Sequence, residues 1–182
     1  MNFHKTTVED FLNKIHHKEI DYSLYLKDLQ REILKKNKEH NFLVTLVEPD
    51  LELSNKALSG LCYVCKDNFS TKDILSTSSS NFLKNYTPVY DATVIKRLKE
   101  AGAQLIGKVA LDELAMGGTG MNALTGIVRN AYNSKNMSGG SSSGSVVATA
   151  LGLVPFALGS DTGDSIRKPA ALNGVVGFKG TR

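Results

Sequence analysis

Serine hydroxyls crowd into two glycine-rich stretches of this chain. The first is Ser138-Gly-Gly-Ser141-Ser142-Ser143-Gly144-Ser145. The second is Gly159-Ser160-Asp161-Thr162-Gly163-Asp164-Ser165-Ile166-Arg167-Lys168-Pro169-Ala170. A flexible linker is the plain reading of the first run. However, the chain passes directly from it into Val146, Val147, Ala148 and Leu151, which a core should bury. Glycines at such a place let backbone approach other groups closely, and a hydroxyl-rich loop opening a helix gathers unpaired N–H groups. The second run is either an ordinary surface turn or a place where a serine hydroxyl projects beside N–H groups able to hold an oxyanion.

A nucleophilic serine needs a base. The histidines, His4, His16, His17 and His40, lie in the polar N-terminal segments, distant in sequence from both turns. A Ser–His–Asp triad still assembles in space from any chain order, but a lysine is the simpler partner. Lys66 ends an apolar run, Leu61 to Lys66, that reads as a buried strand with Cys62 and Val64 on its own face. A lysine at a strand end commonly snorkels to solvent. Held among apolar groups instead, its ammonium is disfavoured and its pKa falls toward that of a useful base.

Two other signals carry less. Cys62 and Cys65 form a lone C-x-x-C, but strand residues three apart point to opposite faces and cannot share a metal. Both are expected to be reduced core thiols, and no metal site is expected. Gly102 to Lys108 matches the opening of a phosphate-binding loop, yet Val109 stands where the magnesium-binding hydroxyl belongs, and Ala103 to Ile106 suits a strand.

The elements that must position these groups follow from periodicity and punctuation. Thr6 or Thr7 caps a first helix through Val8, Phe11, Leu12 and Ile15. A second runs from about Ser23 to Lys38, with Leu26, Leu29, Ile33 and Leu34 inward. Strands are expected at 42–47, 61–66, 105–110, 154–158 and 175–178. Helices are expected at 49–58, at 92–101 behind an Asp91 cap, and at 145–151, with a long Ser/Thr-rich loop over 67–90. This alternation predicts an α/β fold containing parallel strands. The organisation expected is an N-terminal helical region, 1–60, followed by a core, 61–182, within one domain.

Bulk properties fit such a protein. The 182 residues are 41% hydrophobic and 22% charged, with a net charge of +4. No apolar run reaches 18 residues, and Met1 to Lys14 does not read as a signal peptide, so a cytoplasmic location is expected. The basic stretch from Lys27 to Glu39 carries interleaved acids and no stacking aromatics. It reads as a solvated helix face rather than a nucleic-acid footprint.

Taken together, Ser138–Ser145, Gly159–Ala170 and Val64-Cys65-Lys66-Asp67-Asn68 resemble the motifs of the amidase signature family. Tyr90 to Ala103, Ile106-Gly-Lys108, Asp112-Glu-Leu-Ala-Met-Gly117 and Asp161-Thr162-Gly163 are similar to that family's tRNA-dependent amidotransferase branch. The resemblance covers residues 60 to 180. It implies a mixed sheet core flanked by helices and incomplete at the C-terminus. It implies Ser165 as nucleophile, Ser141 as proton relay behind a cis bond from Gly140, and neutral Lys66 as base. Oxyanion donors are implied among Thr162, Gly163, Asp164 and Ser165, with Ser142 in support. Glutamine is the implied amide. Partner subunits B and C are implied, with ATP and magnesium on a partner, no cofactor in this chain, and contact with misacylated Glu-tRNA(Gln) through the complex. A general small-amide amidase and a non-catalytic remnant are the alternatives.

Three positions depart from the family pattern: Ser138 replaces proline, while Ser143 and Asp164 replace glycine. At Asp164 a turn requiring positive φ is expected to be strained. A carboxylate about 4 Å from a developing oxyanion would oppose it by about 4 kcal/mol at an effective dielectric of about 20.

Overall fold

The computed structural model describes residues 2–181. Thr7 opens α1 (Val8–His16) by accepting the Asp10 N–H at 3.0 Å. Asp21 does the same for α2 (Tyr22–His40) by accepting from Leu24. On α2 the buried residues include Tyr22, Tyr25, Leu26, Leu29 and Ile33, one stripe at helical spacing. Lys27, Arg31, Lys35 and Lys38 occupy the exposed side, where Arg31 pairs with Asp28 and Lys35 with Glu32. Leu34 falls off the stripe and is exposed, contrary to the inward position expected of it.

A four-stranded sheet has the order β1-β3-β2-β4, from β1 (Leu43–Leu46), β2 (Cys62–Lys66), β3 (Gln104–Val109) and β4 (Ala157–Leu158). β1 runs antiparallel to β3, while β2 is parallel to both β3 and β4. The mixed α/β class expected from the sequence is the one observed. β2 is central and wholly buried. Its alternation assigns Cys62 and Val64 to the large core shared with α1, α2 and α4 (Ser143–Ala150), and Tyr63 and Cys65 to a smaller core with Ile95 of α3 (Thr93–Glu100). Phe11, Ile15 and Ile33 share that larger core with Val109, Val147 and Ala170, so the first sixty residues pack with the rest, and β1 brings a strand from them into the sheet.

Several expected elements differ. Residues 49–58 form no helix. Asp50 Oδ1 captures the Glu52 N–H at 2.9 Å, a local bond that competes with helix formation, and Leu51 and Leu53 are exposed, so no packing offsets it. Asp91 does not cap α3. Ala92 occupies that position, and the Asp91 carboxylate instead accepts from Lys72 N and pairs with Lys99. The strand expected at 154–158 is confined to Ala157–Leu158, since Pro155 has no N–H for a ladder. Residues 175–178 form no strand, and Val176 and Phe178 lie at the surface. A short helix that the sequence pattern did not announce, α5 (Arg167–Leu172), places Pro169 in its first turn, where a missing N–H costs nothing.

Candidate active site

The C-terminal ends of the three parallel strands meet at one rim of the sheet. β2 ends on Lys66, β3 runs on to Asp112, and β4 runs on through Gly159 to Ser160. Beneath that rim α4 packs against β2, β3 and β4, with its N-terminal turn supplying the first serine run. The fit is close. Gly144 donates to Ala110 O at 2.8 Å, and a Cβ on Gly144 would stand 2.6 Å from both Ala110 N and Phe42 O. Ser143 Oγ also donates to Ala110 O, and Ser145 Oγ to Leu158 O. Ser143 therefore spends its hydroxyl on the end of the sheet, which accounts for a serine being accepted in place of the family's glycine.

Lys66 is fully buried on the α4 side of the sheet. Its Nζ donates to Ser141 Oγ at 2.7 Å, to Ser160 Oγ at 2.8 Å and to Ser160 O at 3.3 Å. Burial pulls its pKa down to about 8, against the opposing fields of Asp112 and Asp161. At neutral pH about a tenth of such a group is free amine, roughly 200-fold more than for an ordinary lysine. The Gly140–Ser141 peptide is cis, as the resemblance implies. Ser142 N donates to Ser165 O at 3.0 Å and Ser142 Oγ donates to Ser160 O at 3.1 Å, so Ser142 joins the two serine turns.

The second turn is organised by Asp161. Its buried carboxylate accepts from Ile166 N, Arg167 N and the Arg167 guanidinium, and it also pairs with that guanidinium. The Arg167 hydrogen bonds, with those two N–H groups, hold the Asp161 carboxyl far below the usual carboxylate range. Arg167 also donates to Gly163 O. Ser165 is half-buried. The N–H groups of Gly163, Asp164 and Ser165 donate to no acceptor among the described residues, which leaves them available to an oxyanion. The structure brings Lys66, Ser141, Ser142 and the Ser165 backbone together, and among the described residues Ser165 Oγ forms no hydrogen bond with Ser141 Oγ.

Asp164 behaves differently from the expectation. Its φ is not positive, and its side chain is exposed beside Lys168 at 3.7 Å. Ser160 is a neighbour of Lys66 that sequence reasoning missed. It receives the Asn68 side-chain amide at 3.0 Å as well as Lys66. Its signal lies in strand pairing: Leu158 stands opposite Cys65, which brings the residues after β4 level with Lys66.

This buried lysine–serine pair beside a second serine turn lies on the fold of a known enzyme class. The amidase family model matches residues 7–182, and the chain belongs to that family. It is 41% identical to the A subunit of the glutamyl-tRNA(Gln) amidotransferase of Streptococcus pneumoniae strain JJA over 192 aligned positions, covering all of this chain and 39% of that protein. It is 48% identical to the protein of the same name from Mycoplasma genitalium over 151 positions, 80% of this chain and 32% of the relative. Among solved structures, the A subunit of the Thermotoga maritima glutamyl-tRNA(Gln) amidotransferase superimposes with a TM-score of 0.85 at 37% identity, covering 98% of this chain and 39% of that one. A peptide amidase superimposes with a TM-score of 0.87 at 30% identity, covering 95% and 39%. The chain thus spans about two fifths of the length of the first of these curated relatives.

Proposed function

We propose that this chain carries the serine–lysine part of a glutamine amidase site, in a protein that supplies ammonia for transamidation of misacylated Glu-tRNA(Gln) in the cytoplasm. The observation that carries the reading is the buried 2.7 Å contact between Lys66 Nζ and Ser141 Oγ, held beside the Ser165 turn. In this mechanism the neutral Lys66 amine takes the Ser141 proton. Ser141 takes that of Ser165, and Ser165 Oγ bonds to the carboxamide carbon. Free N–H groups of the 163–165 turn receive the developing oxyanion. The C–N bond then breaks, and the proton returns through Ser141 to the leaving nitrogen, which departs as ammonia. Water gives up a proton along the same route and attacks the ester, the bond to Ser165 breaks as that proton returns through Ser141 to the Ser165 oxygen, and glutamate leaves. Subunits B and C, with ATP and magnesium on a partner, would consume the ammonia.

The shared fold also supports a second reading. The peptide amidase, and a 6-aminohexanoate cyclic dimer hydrolase with a TM-score of 0.83 at 27% identity, have names that describe other amides. The portion present here is compatible with a general small-amide amidase.

The test measures ammonia and glutamate released from glutamine. It uses this chain and a version extended with the C-terminal portion of the Thermotoga maritima relative. Little activity is expected from the chain alone. The extended version should be active, lose activity with Ser165→Ala or Lys66→Met, and form an acyl adduct on Ser165 visible by mass spectrometry. Activity that survives Ser165→Ala overturns the mechanism. Preference for another amide over glutamine selects the second reading, and an inactive extended version points to a non-catalytic remnant.

A further inference from the structure

Asp112 follows β3 and is fully buried, although it contacts neither Lys66 nor the serine hydroxyls through a hydrogen bond. Its carboxylate collects three backbone donors. Oδ2 accepts from Thr119 N at 3.0 Å and Gly120 N at 3.1 Å, and Oδ1 accepts from Asn122 N at 3.2 Å. Its own N–H donates to Ser141 O at 3.2 Å. The backbone closes around it on both sides. A Cβ on Gly117 would stand 2.6 Å from Asp112 Cβ, and a Cβ on Gly140 would fall on Asp112 Oδ2. Glycine at both places is what lets the loop and the serine turn press on the carboxylate. Gly120, at φ +75°, returns the contact, since a Cβ there would meet Ser138 Oγ and the Gly139 carbonyl.

We propose that Asp112 is a positioning residue for the first serine turn: its carboxylate ties the segment from Gly117 to Asn122 over Gly140 and so holds Ser141 at Lys66. The proposal rests on the reading that Lys66 and Ser141 act as a pair. Asparagine cannot replace the aspartate. Three donors need both oxygens as acceptors, and an amide offers one oxygen and one NH2, so at least one of these N–H groups loses its partner. The charge matters as well. The acidic groups that face Lys66 are Asp112, from the segment after β3, and Asp161, from the turn after β4. Asp67 and Lys108 pair with each other on the other face of the sheet. Removing the Asp112 charge takes away one of the two fields that favour the ammonium.

The experiment reads two quantities by NMR in the 182-residue chain, neither of which requires activity. One is amide hydrogen exchange at Thr119, Gly120 and Asn122. The other is the titration midpoint of the Lys66 side chain, assigned by its loss in Lys66→Met. In Asp112→Asn at least one of the three amides should exchange about tenfold faster or more while those of β2 keep their rates, and the Lys66 midpoint should fall by about half a unit or more. In Asp112→Glu, which keeps the charge but displaces it by one methylene, the amides should again exchange faster while the midpoint stays near that of the parent. The proposal is overturned if the three amides are unaffected in either variant, if β2 accelerates with them, or if the Lys66 midpoint does not move in Asp112→Asn. Should Asp112→Asn fail to fold, unchanged amides in Asp112→Glu still overturn it. Failure of glutamine hydrolysis would sink the proposed function and leave these readings standing.

Discussion

Replacing Lys66 by methionine should remove a specific dependence of stability on pH. The folded lysine titrates near 8 because burial disfavours its charged form, whereas in the unfolded chain it titrates near 10.4. Between those values the unfolded state binds more protons, so stability rises with pH. Below pH 8 the cost of burying the ammonium is present in full. It fades as pH climbs toward the unfolded value. Between about pH 7 and about pH 9.5 the change amounts to about 2 kcal/mol in favour of the native state, at about 1.4 kcal/mol per pKa unit. The raw profile of the parent will not display it. Cys62 and Cys65 are both pushed up to about 12 by burial, and their unfolded thiols ionise over the same range, which opposes the lysine. The difference between the parent and Lys66→Met cancels the cysteines. Urea unfolding of both proteins at the two pH values, followed by far-UV circular dichroism, should show the parent gaining about 2 kcal/mol relative to the variant at the higher pH. A difference that stays constant, or changes in the opposite sense, would refute a buried lysine with a lowered pKa.

Asp164→Gly in the extended version should change the rate of ammonia release by less than about threefold, because the carboxylate is exposed and paired with Lys168; a tenfold gain would show that it faces the oxyanion after all. Cys62 and Cys65 should be silent to a thiol reagent in the native protein and both react in urea, since they are free, buried and on opposite faces of β2; a disulfide between them, or bound zinc in the purified protein, would contradict that placement. Gly144→Ala should cost about 1–3 kcal/mol in thermal or urea unfolding, because the added methyl meets Ala110 N and Phe42 O rather than a movable side chain. An unchanged midpoint would mean that α4 does not press on the sheet as described.

The residues legible in the sequence were those whose surroundings are local. The β2 run reads as a strand because every member is apolar up to Lys66, and strand alternation alone separates Cys62 from Cys65. The helix that follows the serine run, expected at 145–151, starts two residues earlier, at Ser143, because Ser143 and Gly144 are committed by contacts to Ala110. What was hidden depends on pairing between distant segments. Ser160 becomes a neighbour of Lys66 only through the β2–β4 register. Asp161 reads as part of a turn, yet its strength comes from an arginine six residues on that folds back to it. Residues 49–58 mislead for the opposite reason, since Leu58 alone among their leucines packs against the core while Leu51 and Leu53 are left exposed.

The parallel run of β2, β3 and β4 has a practical consequence for anyone wishing to instrument this protein. All three strands point their C-terminal ends at the rim that holds Lys66 and Ser160, and their N-terminal ends at the opposite one. The segment entering β2 from that far side, residues 51–57, is exposed and helix-free. Backbone of this kind accepts inserted sequence readily. A fluorophore, a purification tag or a reporter domain inserted near Asn55 would sit at the blind end of the sheet. It would report on binding or assembly without touching Lys66, Ser141 or the turn that carries Ser165.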